Sequence, residues 1–297
     1  MDNPITHAGN FYDEGSIESS KIVGRSWSNR VLTALCITLT CVALVPLVSI
    51  LYLVLKNGVP LLSWSVFTEL PPAAGMTGGG FGNAVVGTLK MVGIGLVLSA
   101  PPAVLAAIYI CEYAPHSRLS GTVRFVAKLL TGLPSIICGV FAFAAVVVTT
   151  GKFSAVAGGV ALAVLMLPTI LLTAEQALLG VQKTYREASY GLGATRFQTI
   201  FRIVLPDAMP AIMTGVMLAV ARAAGETAPL IFTALFSQFW ASSLMEPTAS
   251  LSVLIYNFSS MPFEHQIRMA WTASLVLVVL VTVTNVTAQL VFGKKHS

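Results

Sequence analysis

The stretch EASYGLGATRFQTIFRIVLP, from Glu187 to Pro206, is a polar segment between long uncharged runs. Over the whole chain of 297 residues, 56% are hydrophobic and only 10% are charged, whereas soluble domains carry roughly 25% charged residues. The composition therefore indicates an integral membrane protein. Within it, the segment from Glu187 to Pro206 is predicted to be an ordered polar element rather than a span.

The first half of this segment is predicted to be a short capped helix. Thr184 and Glu187 have the T-x-x-E spacing of a capping box, which satisfies two free N–H groups at a helix start. A helix beginning at Thr184 would end near Gly191 or Gly193, because glycine adopts the left-handed conformation of a C-cap without strain.

The second half is predicted to be another short helix. Thr195 and Gln198 form a T-x-x-Q box, and the helix would run to about Val204. Pro206 disfavours helical geometry at Leu205, so we expect the chain to turn there before the next span. The pattern predicts a helix–turn–helix on one membrane face. The alternative is an ordinary amphipathic linker that rests on lipid headgroups.

Six apolar runs are long enough to cross a bilayer, which takes about 20 residues per helix. The chain lacks the period-2 pattern of a membrane barrel, so we predict an all-α fold with six transmembrane helices. The predicted spans are Val31–Leu55, Phe81–Ile110, Leu129–Gly151, Phe153–Ala174, Ala208–Phe236 and Met269–Gly293.

The distribution of Lys and Arg predicts the orientation, because cytoplasmic segments carry the excess of these residues. With both termini in the cytoplasm, 12 of the 17 basic residues fall in inside segments. The net charge of +5 is then mostly this bias and is no sign of nucleic-acid binding. The predicted parts are a cytoplasmic tail (1–30), a first helix with an external loop (31–80), a five-helix core (81–293, with an internal loop at 175–206) and a tail (294–297).

The sequence offers no catalytic or metal site. Its four cysteines and four histidines are scattered and have no metal-ligand spacing, and no Ser, His and Asp constellation suggests itself. The phosphate-binding pattern G-x-x-x-x-G-K-[ST] is absent, since GKFS at Gly151–Ser154 does not match it. Any ATPase activity would therefore belong to another chain.

Two charges lie inside the predicted fifth span. Arg222 and Glu226 are four residues apart, so they share a helix face and can pair. Gly225 and Pro229 are expected to loosen the backbone around them. Charges within a membrane usually mark a substrate or ion path, which is the interpretation we favour. The alternative is a structural ion pair within the bundle.

The opening segment resembles the cytoplasmic "EAA" loop of ABC importer permeases, E-A-A-x-x-x-G-x9-I-x-L-P. The matching positions are Glu187, Ala188, Gly193, Ile203, Leu205 and Pro206, with Ser189 in place of the second alanine. The resemblance implies a type I importer permease, in which this loop forms a coupling helix that docks on the ATPase subunit. It assigns the coupling role to these six positions and to Ser189.

Further stretches resemble the phosphate-specific branch of these permeases, the PstA type. They include AAIYICEYAP, GLPSIICGVF, LMLPTILLTAEQAL and, as the most discriminating, ARAAGETAPLIFTA. The resemblance implies a phosphate path containing Arg222, Glu226 and Thr227 in a bacterial cytoplasmic membrane. It implies four kinds of partner besides lipid: a PstC-type permease, an ATPase dimer, an external phosphate-binding protein and phosphate itself.

The same resemblance implies that the chain is not an enzyme and carries no cofactor, with ATP bound on the partner subunits. Sulfate and molybdate permeases share the plan and remain the alternative within the class. The alternatives from other classes are an ion-coupled secondary anion transporter and a receptor-like membrane scaffold.

Overall fold

The computed structural model describes residues 19–292 of the chain. Most of the predicted N-terminal tail and the whole predicted C-terminal tail, residues 294–297, lie outside that range. The described residues form helices and turns and contain no β-strand. Five helices are long and apolar enough to cross a membrane, and a strongly bent pair makes six if it counts as one span. The prediction of an all-helical protein with six spans is therefore confirmed.

The chain separates into two units. The first consists of helix α1 (Ser19–Gly58) as far as Leu53, and the second begins at Val54. The apolar stretch of α1 contains the predicted first span. Its apolar side chains as far as Leu53 are exposed, which is typical of a helix surrounded by lipid tails.

The second unit carries the remaining helices. Their bounds are α2 (Ser65–Thr68), α3 (Gly82–Ile108), α4 (Arg118–Thr131), α5 (Ser135–Ala142), α6 (Val148–Thr150), α7 (Ala155–Gly180), α8 (Lys183–Gly191), α9 (Arg196–Thr199), α10 (Leu205–Ala224), α11 (Ala228–Thr233), α12 (Leu251–Ser259) and α13 (Glu264–Phe292). Three π-helical turns interrupt or extend them, at Tyr109–Tyr113, Phe143–Val147 and Ile200–Val204.

Helix α7 is the centre of the second unit, and α3 and α10 both pack on it. Small residues let the helices approach closely, as is usual in membranes. A Cβ atom at Gly159 would lie only 2.4 Å from the Ile94 side chain of α3, and one at Gly215 would lie 2.1 Å from Thr173 Oγ1. The predicted fourth span is thus present, and α7 extends it to Gly180.

The predicted third span, Leu129–Gly151, is wrong at its start. Leu129 belongs to the end of α4, and the chain bends by 107° between Arg118–Thr131 and Ser135–Thr150. Gly132 ends α4 and Pro134 precedes α5, so the two residues that interrupt helices most readily fall at the bend. Helix α4 itself has one apolar and one polar face, unlike the uniformly apolar spans.

The predicted turn at Pro206 is also wrong, because the chain is helical without a break from Arg196 to Ala224. The π-helical turn Ile200–Val204 ends two residues before Pro206, which is the second residue of α10. The missing N–H of Pro206 is tolerated because the preceding π-helical turn, in which the Leu205 N–H bonds the Ile200 carbonyl, already interrupts the regular i to i−4 ladder. The predicted fifth span is helical only as far as Ala224. After a break the chain becomes helical again as α11.

Between α11 and α13 the chain is irregular as far as Ser250 and then forms the short helix α12. Most of the apolar side chains of helix α12 are buried within the second unit. It is held there by two hydrogen bonds: the Leu251 N–H donates to Thr88 Oγ1 (2.9 Å), and Ser252 Oγ donates to the Glu226 carbonyl oxygen (2.9 Å).

Candidate functional site

The predicted coupling segment begins with α8. The helix starts at Lys183 and its N-cap is Gln182, without a side-chain cap. Thr184 is therefore already helical, and its hydroxyl lies 3.4 Å from Gln182 Oε1. The predicted capping box of Thr184 and Glu187 is wrong, because the chain after α7 is extended at Val181 and Gln182 and enters the helix earlier.

Helix α8 ends in a Schellman motif centred on Gly193. The Gly193 N–H donates to the Tyr190 carbonyl (2.9 Å), and the Ala194 N–H donates to the Ser189 carbonyl (3.1 Å). Gly193 has a φ of +83°, the left-handed conformation that side chains disfavour. The prediction of a glycine C-cap is confirmed at Gly193. Gly191, the other candidate, is the last residue of the helix.

Helix α9 begins with the predicted capping box, which is confirmed. Thr195 Oγ1 accepts from the Gln198 N–H (3.3 Å), and Gln198 Oε1 accepts from the Thr195 N–H (2.9 Å). A hydrogen bond between the buried hydroxyls of Ser189 and Thr199 (2.9 Å) fixes α8 against α9. Serine in place of the motif's second alanine therefore supplies a hydrogen bond between the two helices that alanine could not make.

The structure brings only part of the motif together. Glu187, Ala188 and Gly193 lie within a few residues of one another and are exposed, whereas Ser189 points inward. Ile203, Leu205 and Pro206 lie farther on, where the π-helical turn meets α10. Leu192 is 90% exposed at the tip between the two helices, and Tyr190 is half-exposed beside it. An exposed apolar tip on an internally fixed turn suits insertion into a groove of a partner.

The second predicted site lies where α10 ends. The helix stops at Ala224, Gly225 forms its C-cap, and α11 starts at Ala228 with Pro229 in its first turn. The predicted loosening at Gly225 and Pro229 is thus observed as a true break. Glu226 and Thr227 lie within it.

Arg222 and Glu226 pair across this break, as the i, i+4 spacing predicts. Arg222 Nε lies 3.6 Å from Glu226 Oε1, too far for a hydrogen bond but within ion-pair range. The Arg222 side chain is 50% exposed and that of Glu226 is 18% exposed. A guanidinium that is half free can hold an oxyanion through two parallel hydrogen bonds while the nearby carboxylate balances its charge.

The break is supported by two neighbours that sequence reasoning did not identify. Ser252 of α12 donates to the Glu226 carbonyl, and a Cβ at Gly139 of α5 would lie 2.6 Å from the Pro229 Cα atom. Gly139 lies in the quoted stretch GLPSIICGVF, but nothing in that stretch indicates a contact with Pro229. Among the described residues, no group of three or more His, Cys, Asp or Glu could hold a metal ion.

Comparison with known proteins identifies the class. Residues 99–294 match the model of the binding-protein-dependent transport system inner membrane components, and the chain belongs to that family. It is similar to the phosphate transport system permease protein PstA of Yersinia pestis, with 35% identity over 95% of this chain and 97% of that one. The PstA protein of Haemophilus influenzae is 37% identical over 91% of this chain and 96% of its own.

Solved structures agree on the fold. A bacterial alginate ABC transporter in complex with a periplasmic protein has a chain that matches with a TM-score of 0.61 and 18% identity over 91% of this chain and 95% of that one. The MetNI methionine ABC transporter in an inward-facing conformation matches with a TM-score of 0.56 and 20% identity, over 72% and 94%. At these identities the likeness establishes the permease fold alone.

Proposed function

We propose that this chain is the transmembrane permease subunit of an ATP-driven importer of inorganic phosphate in a bacterial cytoplasmic membrane. The observation that carries the proposal is the similarity to phosphate transport permeases along more than nine-tenths of the chain. The exposed arginine at the break of the fifth span supports it, since a phosphate path needs a cation that is not fully satisfied by protein.

The chain works as one member of a complex. A related permease of the PstC type completes the path, a dimer of ATPase subunits binds ATP on the cytoplasmic side, and a phosphate-binding protein delivers the anion from outside. Both termini of this chain lie in the cytoplasm in this scheme, on the same side as α8. The chain itself performs no covalent chemistry and holds no cofactor or metal.

At the break, Arg222 attracts the phosphate anion and Glu226 neutralises the arginine while the path is empty. Thr227 lines the path beside them. Glu226 also accepts a hydrogen bond from a protonated phosphate oxygen, which fully ionised sulfate cannot offer. The two substrates therefore differ in one hydrogen bond at this carboxylate, and such a difference is worth more when the partner group is shielded from water.

Uptake measurements test this role. Glu226→Gln keeps the size of the side chain and removes its charge, and Arg222→Gln removes the charge and shortens the side chain. Both variants should lose phosphate uptake while expression stays normal. Thr214→Val, on the same helix and facing outward, is the matched control and should transport normally. Wild-type uptake by both charge variants at normal expression would eliminate the path role.

Crosslinking tests the coupling role of α8. Cysteines at the exposed positions Ala188 and Tyr190 should trap the ATPase subunit in the assembled complex. Ser189 lies between them but is buried against Thr199, so Ser189→Cys should not be trapped. Crosslinks to lipid alone, or none at either exposed position, would return the segment to the plain linker interpretation.

The alternative functions differ in the energy source that drives uptake and in the anion that competes with the substrate. A sulfate or molybdate permease would be inhibited by its own anion rather than by phosphate. An ion-coupled secondary transporter would accumulate anion when purified alone and reconstituted with an ion gradient. A subunit of an ATP-driven importer is inactive alone and requires the ATPase chain.

A further inference from the structure

Two arginines at the α8 end of the second unit bind in a reciprocal pattern that the proposed function does not use. Each holds a carboxylate on one long helix and backbone carbonyls at the end of the other. The two long helices are α3, with its π-helical extension Tyr109–Tyr113, and α7. The two arginines are Arg124 of α4 and Arg186 of α8.

Arg186 lies on the coupling helix, next to Glu187. Its Nη2 atom donates to Glu112 Oε1 (2.7 Å), on the π-helical extension of α3. Its Nη1 and Nη2 atoms also donate to the carbonyls of Val181 (2.7 Å) and Leu178 (2.9 Å), at the end of α7. One guanidinium thus joins α8 to both long helices.

Arg124 of α4 joins the same two helices with the roles exchanged, so that the carboxylate comes from α7 and a carbonyl from the end of α3. Its Nε atom donates to Glu175, which is buried in α7, and its Nη2 atom donates to the Ile110 carbonyl (3.0 Å) at the end of α3. Its Nη1 atom donates to the Pro115 carbonyl (3.1 Å). The carboxylate comes from α7 here and from α3 in the case of Arg186, so the two arginines cross-link the same pair of helix ends.

A third contact joins the second coupling helix to α3. The Arg196 guanidinium, at the first position of α9, lies 5.1 Å from the centre of the Tyr113 ring. Both α8 and α9 are therefore attached to the π-helical extension of α3, and α8 alone is also attached to the end of α7.

We infer that Arg186 and Glu112 are positioning residues that pass the displacement of the coupling helix to α3 and α7. The inference rests on the proposed function, since it presumes that α8 is moved by an ATPase. Helix α8 is short, with nine residues. The Ser189–Thr199 hydrogen bond ties it to α9, and the Arg186 bonds tie it to the ends of α3 and α7. The Arg186 and Glu112 side chains are 19% and 9% exposed, so water does not readily take the place of either partner in the ion pair.

The pattern also explains why arginine stands at position 186. A guanidinium offers five N–H donors in a fixed plane, enough for one carboxylate and two carbonyls at once, whereas an ammonium group is a point charge on a flexible stem. Arg186→Lys should therefore keep the attraction to Glu112 but lose the simultaneous hold on α7.

The experiment uses the whole reconstituted complex and measures phosphate transported per ATP hydrolysed. Glu112→Gln is the main variant, because Glu112 lies on α3 and not on the helix that docks. We expect it to keep the crosslink from a cysteine at Ala188 and to keep ATP hydrolysis. The transport ratio should fall roughly 2- to 30-fold, the range for a residue in a coupling network. Arg118→Gln, an exposed arginine of α4, is the control and should keep the wild-type ratio.

A merely structural role gives a different result. Glu112→Gln would then lower the yield or melting temperature of the complex, while the assembled fraction transported phosphate at the wild-type ratio. That outcome overturns the inference. If Glu112→Gln does not assemble, Arg186→Lys decides by the same ratio. Failure of the proposed function would show in the wild-type complex itself, which would not couple phosphate uptake to ATP hydrolysis.

Discussion

Substitution of Gly193 tests the turn between α8 and α9 most directly, because any loss of stability would come from the backbone conformation alone. Its φ is +83°, and no heavy atom lies within 4 Å of the position that a Cβ would occupy. Gly193→Ala therefore creates no clash, but places an L-residue in the left-handed region, which costs about 1–2 kcal/mol. Gly193→Asn should cost less, since asparagine visits this region more readily.

Gly191 is the matched control two residues away. It also has open space around a Cβ, but it lies at the end of α8 without a positive φ. Gly191→Ala should leave the helix unchanged or stabilise it by about 0.5–1 kcal/mol, since alanine loses less backbone entropy. The two substitutions change the same atoms and differ only in backbone conformation.

Hydrogen exchange in the intact complex measures the difference. The Gly193 and Ala194 amides donate the two bonds of the Schellman motif, so their exchange reports its opening. A cost of 1–2 kcal/mol corresponds to exchange about 5 to 30 times faster in Gly193→Ala, with little change in Gly191→Ala. Equal exchange in the two variants would refute the argument that the left-handed turn holds the segment in shape.

Two further perturbations have defined directions. Gly87→Ala should destabilise the protein by about 1–3 kcal/mol, because its Cβ would lie 2.0 Å from the Ala249 carbonyl oxygen. Gly93→Ala on the same helix meets nothing within 4 Å and should not lower the melting temperature. In the loop before α12, hydrogen bonds from the Ser242 hydroxyl and N–H lower the pKa of Glu246 below its usual value. The Glu246 carboxylate thus stabilises the loop fully at pH values above the ordinary glutamate pKa. This stabilisation is lost as the pH falls through the lowered pKa of Glu246. Ser242→Ala should raise that pKa, as carboxylate infrared titration would show, and an unchanged titration would contradict the assignment.

Local patterns predicted the parts of the coupling segment that depend on neighbouring residues. The capping box of Thr195 and Gln198 and the left-handed Gly193 involve residues at most five positions apart, so sequence spacing suffices. The box of Thr184 and Glu187 has the same spacing and does not form. Thr184 is already inside α8, which starts at Lys183 and is held beside the end of α7 by the bonds from Arg186 to the Leu178 and Val181 carbonyls.

The ion pairs at the same end could not be predicted. Arg124 and Glu175 are 51 positions apart, and Arg186 and Glu112 are 74 positions apart. In the sequence, each arginine contributes only to the excess of basic residues in the predicted cytoplasmic segments. Pairing Arg222 with Glu226 was possible because four residues make one helical turn, and no such rule relates residues on different helices.

The continuous helix from Arg196 to Ala224 connects the two candidate sites, and the mistaken turn at Pro206 hid this connection. Arg222 lies 26 residues beyond Arg196, which is about 40 Å along a helix axis. A flexible turn at Pro206 would absorb a displacement of α9, whereas an unbroken helix carries it to the break at Gly225. The helix ends there, next to the Arg222–Glu226 pair, so we expect a displacement of α9 to change the backbone geometry beside these charges. The proposed ATPase contact on α8 is thus joined through the Ser189–Thr199 hydrogen bond to the helix whose far end carries the proposed phosphate path.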